Sequence, residues 1–155
     1  MFKRLLPLIA VSGILIFSVA AIISKDAVAS DRHGRTLVGS WVITISSDAF
    51  PEFTNLGTIT RDGAVINSDP VFGSGHGAWK RVSGGRFAIK FLGLVPPDNP
   101  DFPPGTELTV SGTITVSNDG ATASGPFETV FVNPAIGEVF RFSGTVDFDR
   151  ITVDN

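Results

Sequence analysis

Residues 106–132 read TELTVSGTITVSNDGATASGPFETVFV. In the first half Leu108, Val110, Ile114 and Val116 alternate with Thr109, Ser111, Thr113 and Thr115. That period of two is the mark of a strand with one face buried and one face wet. Asn118-Asp119-Gly120 then interrupts the pattern with residues that tolerate positive φ, and a second run carries Ala123, Phe127 and Phe131 at even spacing. Two alternating runs joined by such a turn form a β-hairpin.

The same grammar extends in both directions, with no 3.6-residue period after residue 30. Strands are expected at about Leu37 to Ser46, Leu56 to Arg61, Ala64 to Asn67, His76 to Val82, Arg86 to Leu94, Thr106 to Ser117, Ala121 to Val132 and Gly137 to Arg150. Their connections alternate in character. The second, fourth and sixth are tight: Asp62-Gly63, Ser83-Gly84-Gly85 and Asn118-Asp119-Gly120. The first, third and fifth read as long, at Ser47 to Asn55, Ser68 to Gly75 and Val95 to Gly105, the last holding five prolines, and the seventh, Asn133 to Ile136, is intermediate. In an up-and-down meander, odd and even connections lie at opposite ends, so one end should be sealed by turns and the other rimmed by loops. Closing the sheet removes its exposed edges. The expected fold is therefore all-β, an eight-stranded antiparallel up-and-down barrel; an open two-layer sandwich is the alternative.

The segment ahead of this region reads as a secretory leader. Lys3 and Arg4 precede an apolar run from Leu5 to Ile23, and Ala27-Val28-Ala29 supplies a cleavage site before Ser30. An uncleaved membrane anchor is the competing reading of so long a run. The expected division is a signal peptide at 1–29 and one barrel domain at 30–155, in a secreted or periplasmic location. Cleavage leaves 9 of the 12 basic and 14 of the 15 acidic residues, a net charge of −5. Such a domain lacks the basic footprint that nucleic acid or anionic lipid requires, so neither nucleic acid nor, after cleavage, a membrane is an expected partner. No cysteine is present. Stability must then come from an apolar core, for which the chain is long enough.

Strand parity places Leu37, Gly39, Trp41, Ile43 and Ile45 on one face of the first strand and Phe140, Phe142, Gly144, Val146, Phe148 and Arg150 on one face of the last. If both faces point inward, Trp41 and Arg150 meet at the tight-turn end. There the guanidinium stacks on the indole and forms the barrel floor. Gly39-Ser40-Trp41 with a late arginine resembles the G-x-W motif and terminal arginine of the lipocalins and the wider calycin group. That resemblance implies an eight-stranded barrel binding a small apolar molecule. A second motif of the T-D-Y type and a helix after the last strand are missing. Asp62-Gly63-Ala64-Val65 and the segment from Gly75 to Arg81 also resemble small exported bacterial barrel proteins.

Eleven of the thirteen phenylalanines follow the leader. Phe87, Phe91, Phe127, Phe131, Phe140, Phe142 and Phe148 fall on presumed inner faces, where they either line a cavity or fill the barrel solid. A ligand mouth at the long-loop end would use Phe50, Phe53, Phe72, His76, Val95, Phe102, Ile136 and Phe140. His76, between Gly75 and Gly77, is either a headgroup ligand or base, or a plain polar rim residue without a carboxylate partner. Trp79 has the opposite parity and reads as a packing residue. No metal site is expected, since His76 has no second ligand and Asp98, Asp101 and Glu107 match no EF-hand spacing. The glycine-rich stretch 73–77 matches neither a phosphate loop nor a nucleophile elbow. No cofactor or catalytic group is expected. The first functional reading is a non-enzymatic exported barrel holding a small hydrophobic molecule. Two others stand beside it: an isomerase or cyclase of the allene-oxide-cyclase-like barrel type, marked by a charged side chain in the cavity, and a solid-core structural or interaction barrel.

Overall fold

The computed structural model describes residues 35–153. The expected leader, residues 1–29, lies outside the described residues. Eight strands follow in order: β1 Gly39–Ser47, β2 Phe53–Ile59, β3 Ala64–Asp69, β4 Gly73–Ser83, β5 Arg86–Leu94, β6 Glu107–Val116, β7 Thr122–Asn133 and β8 Gly137–Arg150. Each pairs antiparallel with its chain neighbour, and β1 pairs with β8 from Trp41↔Arg150 to Ser47↔Gly144. The sheet is a closed up-and-down barrel with no free edge, and the sandwich alternative falls.

Tight turns close the even end as expected. Gly63, Gly85 and Gly120 all have positive φ there, and the Asp62 and Asp119 carboxylates accept from the Thr60 and Ser117 hydroxyls within their own turns. The odd end differs from the sequence expectation. β2 begins at Phe53 and β4 at Gly73, so the connection between β3 and β4 shrinks to residues 70–72. The Asp69 side chain is the cause. Its Oδ1 accepts from the Val71 amide at 2.7 Å and the Phe72 amide at 2.9 Å, a side-chain turn that reverses the chain in place of a loop. Among the described residues the one long connection between strands is 95–106.

Gly73 and Gly75, expected in a loop, belong with Gly77 to the barrel wall. A Cβ on Gly75 would lie 2.8 Å from Phe91 Cδ2 and 2.9 Å from the Leu92 carbonyl oxygen. Gly77 has no room either, with the Lys90 carbonyl and Phe91 Cα against it. Their absent side chains let β4 lie close over Phe91 on β5, which supplies the bulk for both strands.

Inward positions alternate as the period-two pattern requires, from Trp41, Ile43 and Ile45 through Phe87 and Ile89 to Phe142, Val146 and Phe148. The floor is built at the even end. Trp41 is fully buried, donates its indole N–H to the Leu37 carbonyl at 2.9 Å and meets Phe148 edge-on at 5.8 Å. The Arg150 guanidinium lies 4.1 Å over the Trp41 ring. It donates to the carbonyls of Gly120 at 2.6 Å and of Val38 and Thr36 at 2.7 Å each. Gly39, at φ 146°, leaves the space that this guanidinium occupies. Trp79 packs against the core, 5.5 Å from Phe87, with its indole N–H donated to the Thr60 carbonyl at 2.8 Å.

Candidate functional site

The odd end is closed by aromatic side chains. Phe72, from the short β3–β4 turn, sits 5.7 Å from Phe50, 6.1 Å from Phe102 and 5.3 Å from Phe131. Phe102 stacks on Phe131 at 4.4 Å and 13°, and Phe50 meets Phe142 edge-on at 5.1 Å. The proline-rich connection holds Phe102 over this end because its far side is tied down. Asn133 donates to the Pro104 carbonyl at 3.1 Å, and the Thr106 hydroxyl donates to the Pro103 carbonyl at 2.7 Å. Edge-to-face and offset contacts of this kind add to what burial alone supplies.

Between floor and aromatic plug lies a cavity of about 80 Å³. Ile43, Ile45, Ile89, Leu108, Phe127 and Phe148 supply much of its apolar wall, while Gly57, Gly75, Gly93 and Gly112 thin the wall elsewhere. Apolar surface therefore dominates, which favours a guest of the same character.

One patch of the wall is polar. Asn55 on β2 and Asn67 and Asp69 on β3 all line the cavity. Gly57 pairs with Asn67 and Leu56 with Ser68, so Asn55 and Asp69 are the next inward positions toward the odd end on two adjacent strands. The Asn55 amide donates from Nδ2 to Asp69 Oδ2 at 3.3 Å. Its Oδ1 is buried without a hydrogen-bond partner. Asn67 is only 3 % exposed, and no hydrogen bond of its side chain to a described residue is formed. Thr129 on β7 adds a hydroxyl to the cavity wall.

The residues expected at a ligand mouth are distributed in three ways. Phe53 and Phe72 line the cavity. Phe50, Phe102 and Phe140 form the plug above it, and Val95 is buried in the same core. His76 and Ile136 face outward. His76 stands on the outer surface of β4, paired with Ile66 and Leu92 on its neighbours, and Ile136 is 69 % exposed at the tip of the β7–β8 turn. No carboxylate among the described residues hydrogen-bonds His76. Trp41 and Arg150 meet at the floor, as described above. Among the described residues no group of three or more His, Asp or Glu side chains converges on a point where a cation would sit.

No family model, curated protein or solved structure matches this chain.

Pattern reading gives Asn55 and Asn67 no role at the site and puts Asp69 on a long loop beside His76, whereas Asp69 ends β3 and bonds Asn55. Asn and Asp near the end of a strand look like turn formers. The signal that finds them is parity: Asn55 and Gly57 step in twos to buried Ile59, and Asn67 and Asp69 step in twos from buried Val65.

Proposed function

We propose that this chain is an exported, non-catalytic, lipocalin-like barrel that holds a small hydrophobic molecule in its interior, admitted through the end that carries Phe50, Phe72 and Phe102. The cavity carries this reading. A space of about 80 Å³ walled by packed aliphatic and aromatic groups lacks dispersion partners that a guest of matching shape supplies. Its size favours compact molecules over long lipid chains, since drug-sized pockets span about 300–1,000 Å³. Phe72 and Phe102 reach the plug from connections rather than strands, so outward swings of these side chains open the barrel without breaking its ladder. The apolar run 5–23 followed by Ala27-Val28-Ala29 supports export.

Asp69 supports the isomerase or cyclase reading to one extent: among the described residues it is the one charged side chain on the cavity wall. Its oxygens are nevertheless engaged, Oδ1 with two turn amides and Oδ2 with Asn55. A general base needs a lone pair directed at the reacting proton and a partner that sets its state. The arrangement of Asp69 answers the needs of the turn, and the container reading stands ahead of the catalyst.

Amide shifts during titration with 1-chlorobutane test the proposal. Binding inside should move the Gly57, Gly75, Gly93 and Gly112 amides together, all of them on the cavity wall, and leave outward residues such as His76 and Ile136 still. A titration that moves no wall amide, with 1-butanol in place of 1-chlorobutane giving the same result, would remove the container reading.

A further inference from the structure

We infer that the guest bears a neutral hydrogen-bond donor, a hydroxyl or an amide N–H, which seats on the Asn55 carbonyl oxygen. The inference rests on the container reading and adds the chemistry of the guest's polar end.

The orientation of the Asn55 amide is fixed by its neighbour. An ionised carboxylate only accepts hydrogen bonds, so the atom facing Asp69 Oδ2 at 3.3 Å must be Nδ2. The carbonyl oxygen is then directed away from Asp69, and it is the buried polar side-chain atom left without a partner among the described residues. Asn55 is 7 % exposed. A buried acceptor in that state is destabilising unless something donates to it.

Asn67 makes the demand more specific. It occupies the inward position beside Gly57, one step from Asn55 along the wall, and its amide forms no hydrogen bond with a described residue. A hydroxyl that donates to Asn55 Oδ1 keeps lone pairs with which to accept from the Asn67 amide. Donor and acceptor needs of wall and guest then close together. The remainder of the guest lies against Ile89, Leu108 and Phe127 on the apolar wall.

Charge selects against the other common polar end of small lipophilic molecules. A carboxylate headgroup cannot donate to Asn55, and it would sit beside Asp69 with like charge in a site of low dielectric. Small alcohols, phenols and amides fit these requirements, and fatty-acid anions do not.

Matched four-carbon probes test the inference on the folded wild-type chain. 1-Butanol, 1-chlorobutane, butyrate and butylammonium are titrated separately, with affinities read from the wall glycine amides. Butanol should bind roughly tenfold or more tighter than chlorobutane, because a site built around a buried acceptor penalises a guest that leaves it unpaired. Butyrate should not bind measurably. Asn55→Leu should bring butanol and chlorobutane to near-equal affinity, and Asn67→Leu should narrow the gap in part. Equal affinities in the wild type would overturn the inference while leaving the container reading intact, and would mean that retained water satisfies Asn55. Tightest binding by butyrate or butylammonium would overturn it as well. Failure of every probe would remove both. The wild-type comparison decides even if Asn55→Leu does not fold.

Discussion

Stacking of Arg150 on Trp41 ties the first strand to the last, and a double-mutant cycle measures how strongly. Trp41→Leu removes the indole N–H bond to Leu37 and part of a fully buried ring. Together these should cost about 3 kcal/mol. Arg150→Met removes three hydrogen bonds to the carbonyls of Thr36, Val38 and Gly120. Water replaces some of them at this partly exposed end, so about 2 to 3 kcal/mol is expected rather than the full charged-donor value for each. If the 4.1 Å cation–π contact acts as a unit, the two losses should fall short of additivity by about 1 kcal/mol, between the exposed and desolvated limits for such pairs. The free energies come from urea unfolding at 25 °C for the wild type, both single variants and the double. The double variant spends much of a typical domain stability of about 5–15 kcal/mol, so an osmolyte present equally in all four samples keeps each baseline defined. A coupling energy within about 0.4 kcal/mol of zero would refute the stacking argument. Arg150 would then act only through its carbonyls.

Gly77→Ala should be strongly destabilising, because the added methyl would meet the Lys90 carbonyl and Phe91 Cα, both main-chain atoms that cannot turn aside. Circular dichroism and thermal unfolding should show a loss of well over 2 kcal/mol, the scale of overpacking at an unyielding site; a melting temperature within a degree of wild type would contradict the wall geometry. Acid stability should depend on the even-end turns. Hydrogen bonds from the Thr60 and Ser117 hydroxyls hold the Asp62 and Asp119 carboxyls below their usual range. A depressed folded pKa means the unfolded chain takes up protons first as pH falls. The contribution is therefore complete above about pH 5 and is lost as pH falls through about 4 and the folded values. Urea midpoints for the Asp62→Asn/Asp119→Asn variant should lose less between pH 5 and 3 than those of the wild type, and parallel curves would count against these bonds.

Strand number, closure at β1 and β8 and the meeting of Trp41 with Arg150 were legible in the sequence, because all three follow from period two and chain direction. The loop lengths at the odd end were not. Gly73-Ser74-Gly75-His76-Gly77 has the composition of a loop, yet Gly75 and Gly77 serve close packing over Phe91, which composition does not distinguish from a turn. The capping action of Asp69 likewise depends on where its Oδ1 points. Both facts shorten the third connection and draw Phe72 from an expected open rim into the plug. The inner-face phenylalanines could be assigned by parity, but whether they left a void could not. That depends on rotamers and ring angles, such as the 13° stack of Phe102 on Phe131.

Xenon pressurisation of crystals tests the central claim of an apolar, enterable interior most directly. Xenon is compact, uncharged and polarisable, and it enters dry apolar cavities in proteins. A xenon peak is expected inside the barrel against Ile89, Leu108 and Phe127, set away from the polar patch of Asn55 and Asn67. A pressurised crystal with no xenon between the Trp41 floor and the Phe72 plug would contradict it.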